Sequence, residues 1–316
     1  MTEYKEKLKK NGYVVINLID EGIYTIDEIL EMREICMSSY YSYFTDRGMN
    51  LEEIVIDLDN NMTNNQYFKQ PKDSKMFKAM YGQVSKTGKE YINTRAPANA
   101  MSCGMGTATS QPSIYYNERF NELKEKMRPL MTKLYGSPVK KHLSRFGLKL
   151  PVSKDMVLHT DMSYIEKYKD NLPDMKDPDD PVAYHTYDTN GVYQRLQCII
   201  GLNESDGGWY GYPGAHNMYS EIGEQLGWPG KTKTLQKIPK KAMKVLGLTR
   251  VDIPTKIGET VIWSCGTPHG NSACKNRPRL VAYVNYQPDN EQTTADCIIG
   301  LGNQPVDVKK IINIIN

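Results

Sequence analysis

Of the five histidines in the chain, at 142, 159, 185, 216 and 269, the most informative stands in Val157-Leu-His-Thr-Asp161, where an apolar run ends in His-x-Asp. On an extended chain residues i and i+2 project to the same side, so the His159 imidazole and the Asp161 carboxylate can converge on one point. Two such ligands leave a first-row transition metal needing a third, preferably another imidazole. His269 is placed to supply it, after the strand-like Thr260-Val-Ile-Trp-Ser264 and the turn Cys265-Gly-Thr-Pro-His269-Gly270. By itself a His-x-Asp pair is ordinarily a satisfied hydrogen-bonding pair. Arg279, heading Arg279-Leu-Val-Ala-Tyr-Val-Asn-Tyr286, adds weight to the metal reading. A guanidinium at the start of a buried strand is costly unless a carboxylate neutralises it, and its fork suits bidentate carboxylate binding. A dicarboxylate cosubstrate is therefore implied.

The elements that must position these residues are legible in outline. Met1 to Lys10 reads as a short amphipathic helix, and Tyr13-Val-Val-Ile-Asn-Leu-Ile19 as a buried strand. Residues 27–44 space Ile29, Leu30, Met37, Tyr40, Tyr41 and Phe44 as a long amphipathic helix. A second helix is expected over 116–135, bent at Pro129. Between the two, residues 85–113 are rich in Gly, Ser, Thr, Asn and Ala and predict a long surface excursion. From Leu143 onward the texture changes to short apolar runs broken by Gly, Pro and Asp: 143–150, 156–159, 195–202, 209–212, 260–263 and 280–286. Helices in front and strands behind predict an α+β chain whose strand-rich half is a sandwich or jelly roll. No Pro- or Ser-rich linker divides the chain, so residues 1–316 are expected to form a single catalytic domain, with a mainly helical part over 1–140 and a core over 141–290.

Insertions are expected near 162–190 and 217–250. Residues 161–188 hold eight acidic side chains against three Lys, whereas 231–256 hold eight basic side chains against Asp252. These are solvated faces or specificity elements. Tyr164, Tyr168, Tyr184, Tyr187 and Tyr193 can form a lid or simply anchor a loop.

With 40 Lys+Arg against 37 Asp+Glu, the net charge of +3 argues against a phosphate-backbone partner. No apolar run is long enough to span a bilayer. The amino-terminal residues lack the apolar core of a signal peptide, so a cytoplasmic protein is expected. The six Cys, at 36, 103, 198, 265, 274 and 297, form no CxxC pair and read as reduced thiols.

The chain resembles the phytanoyl-CoA dioxygenase-like branch of the Fe(II)/2-oxoglutarate-dependent dioxygenases. The resemblance rests on Asn11-Gly-Tyr-Val-Val-Ile-Asn-Leu18, His159-Thr-Asp161, Arg195-Leu-Gln-Cys-Ile-Ile-Gly-Leu-Asn203, Gly207-Gly-Trp, Pro213-Gly-Ala-His216 and His269-Gly-Asn with Arg279, in the family's order. It implies a double-stranded β-helix (jelly roll, cupin-like) with N-terminal helices packed on one sheet. It also implies His159, Asp161 and His269 as iron ligands and Arg279 as partner of the distal carboxylate of 2-oxoglutarate. Gln197 is implied as a hydrogen-bond partner of that cosubstrate, with a core-lining amide as the alternative. Asn271 stands where the family often has Ser after His-Gly. His216, in the Pro-Gly-x-His turn, reads as structural, and His142 and His185 as ordinary polar residues.

The reaction so implied consumes O2 and 2-oxoglutarate, releases succinate and carbon dioxide, and hydroxylates a small-molecule substrate. Related halogenases lack the carboxylate ligand, so Asp161 favours hydroxylation, with desaturation, ring closure or demethylation as other outcomes. Two competing readings are a catalytically silent relative that keeps the jelly roll for binding, and another His/Asp/His metalloenzyme such as a cupin-type hydrolase or isomerase. A monomer is the default oligomeric state.

Overall fold

A computed structural model describes residues 1–45, 56–61, 82–84, 90–92, 114, 117–149, 151, 155–161, 196–218, 221–222, 225 and 236–289. Helix α1 (Thr2–Asn11) leads through Gly12 into strand β1 (Tyr13–Asn17), and α2 (Ile26–Thr45) follows. Thr25 and Glu28 start α2 with a reciprocal cap: the Glu28 N–H donates to Thr25 Oγ1 at 3.2 Å and the Thr25 N–H to Glu28 Oε2 at 3.0 Å. Such a cap satisfies two otherwise unpaired donors and is worth about 1 kcal/mol.

The helix expected over 116–135 is two helices, α3 (Glu118–Glu125) and α4 (Arg128–Tyr135), with Pro129 in the first turn of the second. Proline has no N–H and its ring clashes with the preceding turn, so the chain stops and restarts where a continuous helix would have needed both. Asn117 caps α3, its side chain accepting from the Phe120 N–H at 2.7 Å.

Strands β2 (Gly82–Val84) and β3 (Glu90–Ile92) form a separate hairpin pair. The rest are β4 (Val139–Lys149), β5 (His159–Thr160), β6 (Leu196–Gly201), β7 (Ser205–Gly211), β8 (Gln236–Lys237), β9 (Val251–Thr255), β10 (Glu259–Ser264), β11 (His269–Asn271) and β12 (Arg279–Pro288), with the short helix α5 (Lys240–Val245) after β8. They build two five-stranded antiparallel sheets, ordered β1-β10-β6-β12-β4 and β8-β5-β11-β7-β9. Two of these strands lie in stretches expected to be insertions. β8 pairs with β5, and β9, at the end of the basic stretch, pairs with β7. Asp252 and Pro254 disguise β9, which has no apolar run because alternate residues face outward.

Alternation divides the first sheet into two faces. Val14, Ile16, Phe146, Leu148, Cys198, Ile200, Ile262, Leu280, Ala282 and Val284 join one core with helical residues such as Ile29, Met32, Phe120 and Met131. The expected packing of N-terminal helices on one sheet is therefore present. On the other face, Ile199, Val261, Trp263, Val281 and Tyr283 pack against Trp209 of the second sheet. This second core lies between the sheets, and it is where the candidate ligands are found.

Cys36, Cys198, Cys265 and Cys274 are buried free thiols. Among the described residues no helix is long and apolar enough to cross a membrane. Most of 85–113, the 162–190 stretch with its expected lid, Arg195, His185, Cys103 and Cys297 lie outside the described residues.

Candidate metal centre

His159 and His269 are directly opposed in the antiparallel pairing of β5 with β11. Side chains opposed across a strand pair meet on one face, and the two imidazole rings lie 4.5 Å apart, centroid to centroid. Asp161, two residues beyond His159, is drawn in by its own N–H, which donates to the Cys265 carbonyl at 3.1 Å. One carboxylate oxygen lies 3.7 Å from His159 Nε2 and the other 3.4 Å from His269 Nε2. One ligand atom from each residue lies within 4.8 Å of the others.

The second nitrogen of each ring decides what the first can do. His159 Nδ1 is 2.8 Å from the Val157 carbonyl and His269 Nδ1 is 2.8 Å from the Thr267 carbonyl. A carbonyl only accepts, so Nδ1 carries the proton in both rings, and both Nε2 lone pairs are directed to the Asp161 side. Burial, reinforced by neighbouring His269, lowers the His159 pKa to about 4, which keeps the ring neutral at physiological pH. Burial alone would raise the Asp161 pKa; the neighbouring His269 and then His159 imidazoles outweigh it and hold the acid well below the usual carboxylate range. A neutral His159 imidazole and an ionised Asp161 carboxylate are the protonation states a divalent metal requires.

Two turns hold this arrangement. The Gly12 carbonyl accepts from the Ser264 N–H at 2.8 Å and from Thr267 Oγ1 at 2.9 Å, fixing the turn that delivers His269. Gly12 has φ +78°, and a Cβ there would come within 2.4 Å of Thr267 Oγ1 and 2.6 Å of His216 Nδ1, so glycine is required twice over. His216 is buried, with Nε2 3.0 Å from the Lys9 carbonyl, and it packs structurally against this corner. Beside His269 in the sheet, Gly211 leaves space for the Trp209 indole; a Cβ would fall 2.0 Å from its ring. Trp209 lies nearly parallel to His269 at 10° and Trp263 approaches that imidazole to 5.1 Å between centroids.

Arg279 lies on the other sheet, 2% exposed, on the face shared with Val281 and Tyr283. Its Nε donates to Thr255 Oγ1 at 3.2 Å, and its Nη2 is buried with no hydrogen-bond partner. A small pocket beside Thr255 is lined by Ile199, Trp209, Val261 and Val281. Gln197 is opposed to Trp263 and so lies on the same inter-sheet face. Asn271, two residues beyond His269 on β11, has its Nδ2 3.6 Å from the Met156 sulfur. The next residue, Ser272, accepts from the Gly208 N–H at 2.8 Å through its Oγ.

Lys149 and Arg145 were missed by sequence reasoning. Lys149 is opposed to Arg279, 3% exposed, and donates to the carbonyls of Asn271 at 3.0 Å and Ser272 at 2.7 Å. Burial, and then the charge of Arg279, lowers its pKa to about 8. Arg145, on the same face of β4, lies over the Tyr283 ring at 4.3 Å. The signal was the alternation Arg145-x-Gly147-x-Lys149 between Phe146 and Leu148, but it acquires meaning only with the register against Arg279.

A metal and an acceptor-rich ligand fit this chemistry. Trp209 Nε1, Trp263 Nε1 and Arg279 Nη2 are buried without hydrogen-bond partners, and all are donors. Each such orphan costs about 1–3 kcal/mol, a cost that a ligand bearing carboxylate and keto oxygens would offset.

No protein-family model matches the chain, and no curated protein matches it in sequence. Among solved structures it is similar to SnoK, a non-haem α-ketoglutarate-dependent carbocyclase from nogalamycin biosynthesis. The TM-score is 0.53 at 14% identity, covering 97% of this chain and 92% of that one. The likeness is one of fold. Two further similar structures are SnoN, the α-ketoglutarate-dependent epimerase of the same biosynthesis (TM-score 0.49, 15% identity, 96% and 92% covered), and EctD from S. alaskensis with bound Fe (TM-score 0.44, 15% identity, 93% and 80% covered).

Proposed function

We propose that the chain is a non-haem Fe(II)- and 2-oxoglutarate-dependent oxygenase on a double-stranded β-helix, which hydroxylates a small-molecule substrate. The observation that carries this reading is the combination of two Nδ1-locked imidazoles and a carboxylate with an unpartnered guanidinium nitrogen, Arg279 Nη2, on the facing sheet. A hydrolase or isomerase with the same ligands has no need of a buried dicarboxylate clamp. Resemblance in sequence motifs and the fold shared with SnoK support the same assignment.

His159, Asp161 and His269 would hold the metal, and Arg279 the distal carboxylate of 2-oxoglutarate. Iron bound there would couple oxidative decarboxylation of 2-oxoglutarate, giving succinate and carbon dioxide, to oxidation of the substrate by O2. The protein's own part is orientation. Thr255 pins the Arg279 guanidinium through Nε, leaving Nη2 for the ligand. Trp209, Trp263 and Val281 exclude water around it, which strengthens each charged contact. The Val157 and Thr267 carbonyls fix the ring tautomers, so no proton must leave an imidazole when the metal binds. Gln197 is assigned to the cosubstrate by its position on the inter-sheet face.

The test is anaerobic titration of metal-free protein with Fe(II), then 2-oxoglutarate, following the visible metal-to-ligand charge-transfer band. The band is expected in the wild type, to vanish in His159→Ala, and to require at least tenfold more 2-oxoglutarate in Arg279→Ala. Folded, iron-loaded wild type without the band would instead indicate a catalytically silent relative or another His/Asp/His metalloenzyme.

A further inference from the structure

We infer that Arg145 binds an anionic group of the primary substrate, so that the substrate is a small molecule carrying a carboxylate on the side from which it approaches the metal. The inference rests on the function proposed above and adds the substrate class.

Three cations, Arg145, Lys149 and Arg279, share the inter-sheet face of two adjacent strands, β4 and β12. Among the described residues none of them makes an ion pair with a carboxylate. Their surroundings differ. Lys149 ends on two backbone carbonyls, and Arg279 is held by Thr255. Arg145 has its guanidinium over Tyr283 and its Nε buried without a hydrogen-bond partner. An aromatic face steadies a guanidinium without neutralising it, so Arg145 is positioned and its charge is left open.

Arg145 and Arg279 oppose Tyr283 and Lys149 respectively, four positions apart along the paired strands, which is about 13 Å at the usual rise. At that spacing the anion at Arg145 and the carboxylate at Arg279 are separate groups. Charge balance gives the same result. Three cations and a divalent metal exceed the Asp161 carboxylate by four charges, and dianionic 2-oxoglutarate removes two of them. Its metal-binding carboxylate is already opposed by the metal, which leaves Arg145 for a second molecule. The approach side is also marked: the Asp161 side chain is 23% exposed where those of His159 and His269 are 5% and 6%. Arg145, itself part-exposed, lies over Tyr283, which shares the inter-sheet core with Trp209 and Trp263, the two rings beside His269.

The experiment loads full-length protein with Zn(II), saturates it with 2-oxoglutarate to block Arg279, and follows tryptophan fluorescence during titration with butyrate, hexanoate and benzoate and with their amides. Arg145→Met and Arg145→Lys are compared with wild type after circular dichroism has confirmed that each folds. At least one carboxylate should bind saturably and its amide at least tenfold more weakly. Arg145→Met should lose that preference and Arg145→Lys retain part of it, while the affinity for 2-oxoglutarate stays within twofold of wild type in both. Equal binding of acids and amides would overturn the inference. So would a tenfold loss of 2-oxoglutarate affinity in Arg145→Met, which would assign the residue to the cosubstrate. A wild type that binds no 2-oxoglutarate yet binds the carboxylates through Arg145 would overturn the oxygenase reading and retain this one.

Discussion

His159 and His269 face each other across β5 and β11 and are held in the same way, each Nδ1 against the carbonyl of the residue two before it in the chain. The symmetry has a simple origin. Val157 and Thr267 each precede the strand that carries the ring, so each imidazole is locked by the segment leading into its own strand and needs no partner from elsewhere.

His159→Ala and His269→Ala should each lower Co(II) affinity by more than the roughly 10–100-fold that removal of an outer hydrogen-bond partner costs. Isothermal titration on metal-free protein gives the answer, with far-UV circular dichroism as the folding control. Unchanged affinity would reduce the trio to a hydrogen-bonded cluster.

Lys149→Met should act on strand β11 through the two carbonyls it abandons. Loss of hydrogen bonds from a charged donor corresponds to a destabilisation of about 1.5–3 kcal/mol, read from urea unfolding. Co(II) affinity should fall as well, because Asn271 and Ser272 continue the strand begun by His269, whereas Arg279→Ala should leave it unaltered.

Gly211→Ala should force the Trp209 ring off its present position, since the added methyl would stand 2.0 Å from it. Overpacking of this kind costs roughly 1–3 kcal/mol. The near-ultraviolet circular dichroism of the tryptophans should change with it, and an unchanged spectrum would show that the Trp209–His269 stack is not needed in its present form.

Lys124 gives a pH dependence remote from the metal. It is fully buried, donates to Ser144 Oγ at 2.8 Å, and burial, with the charge of Lys141 behind it, lowers its pKa to about 7. The unfolded chain keeps this lysine protonated up to about pH 10.4. Between pH 7 and 10 the unfolded state therefore binds more protons, and stability attributable to Lys124 rises with pH. The Tm advantage of Lys124→Met over wild type should be largest near pH 7 and shrink towards pH 10. A constant difference would mean that the amine is charged in the folded protein across this range.

The cluster of His159, Asp161 and His269, and Arg279, were legible because their signal is local: an i, i+2 pair and single residues at the edges of apolar runs. Lys149 and Arg145 were not, because a charged residue on a strand looks solvent-facing until the opposite strand is known. β9 was hidden for a related reason, its outward positions being polar and its inward ones too few to make a run. Pro129 marked a discontinuity in the sequence, but whether it bends a helix or begins a new one depends on Lys126 and Met127, which carry no breaker signal.

β1 is the second element of the chain, yet Tyr13 pairs with Trp263, and the Gly12 carbonyl holds Thr267. During synthesis the amino-terminal segment therefore leaves the ribosome long before its partner exists. Its docking closes a large loop. The cluster of His159, Asp161 and His269 therefore depends on residues far apart in the chain: His159 needs the strand that brings His269, and the turn delivering His269 is held by Gly12, 255 positions before Thr267.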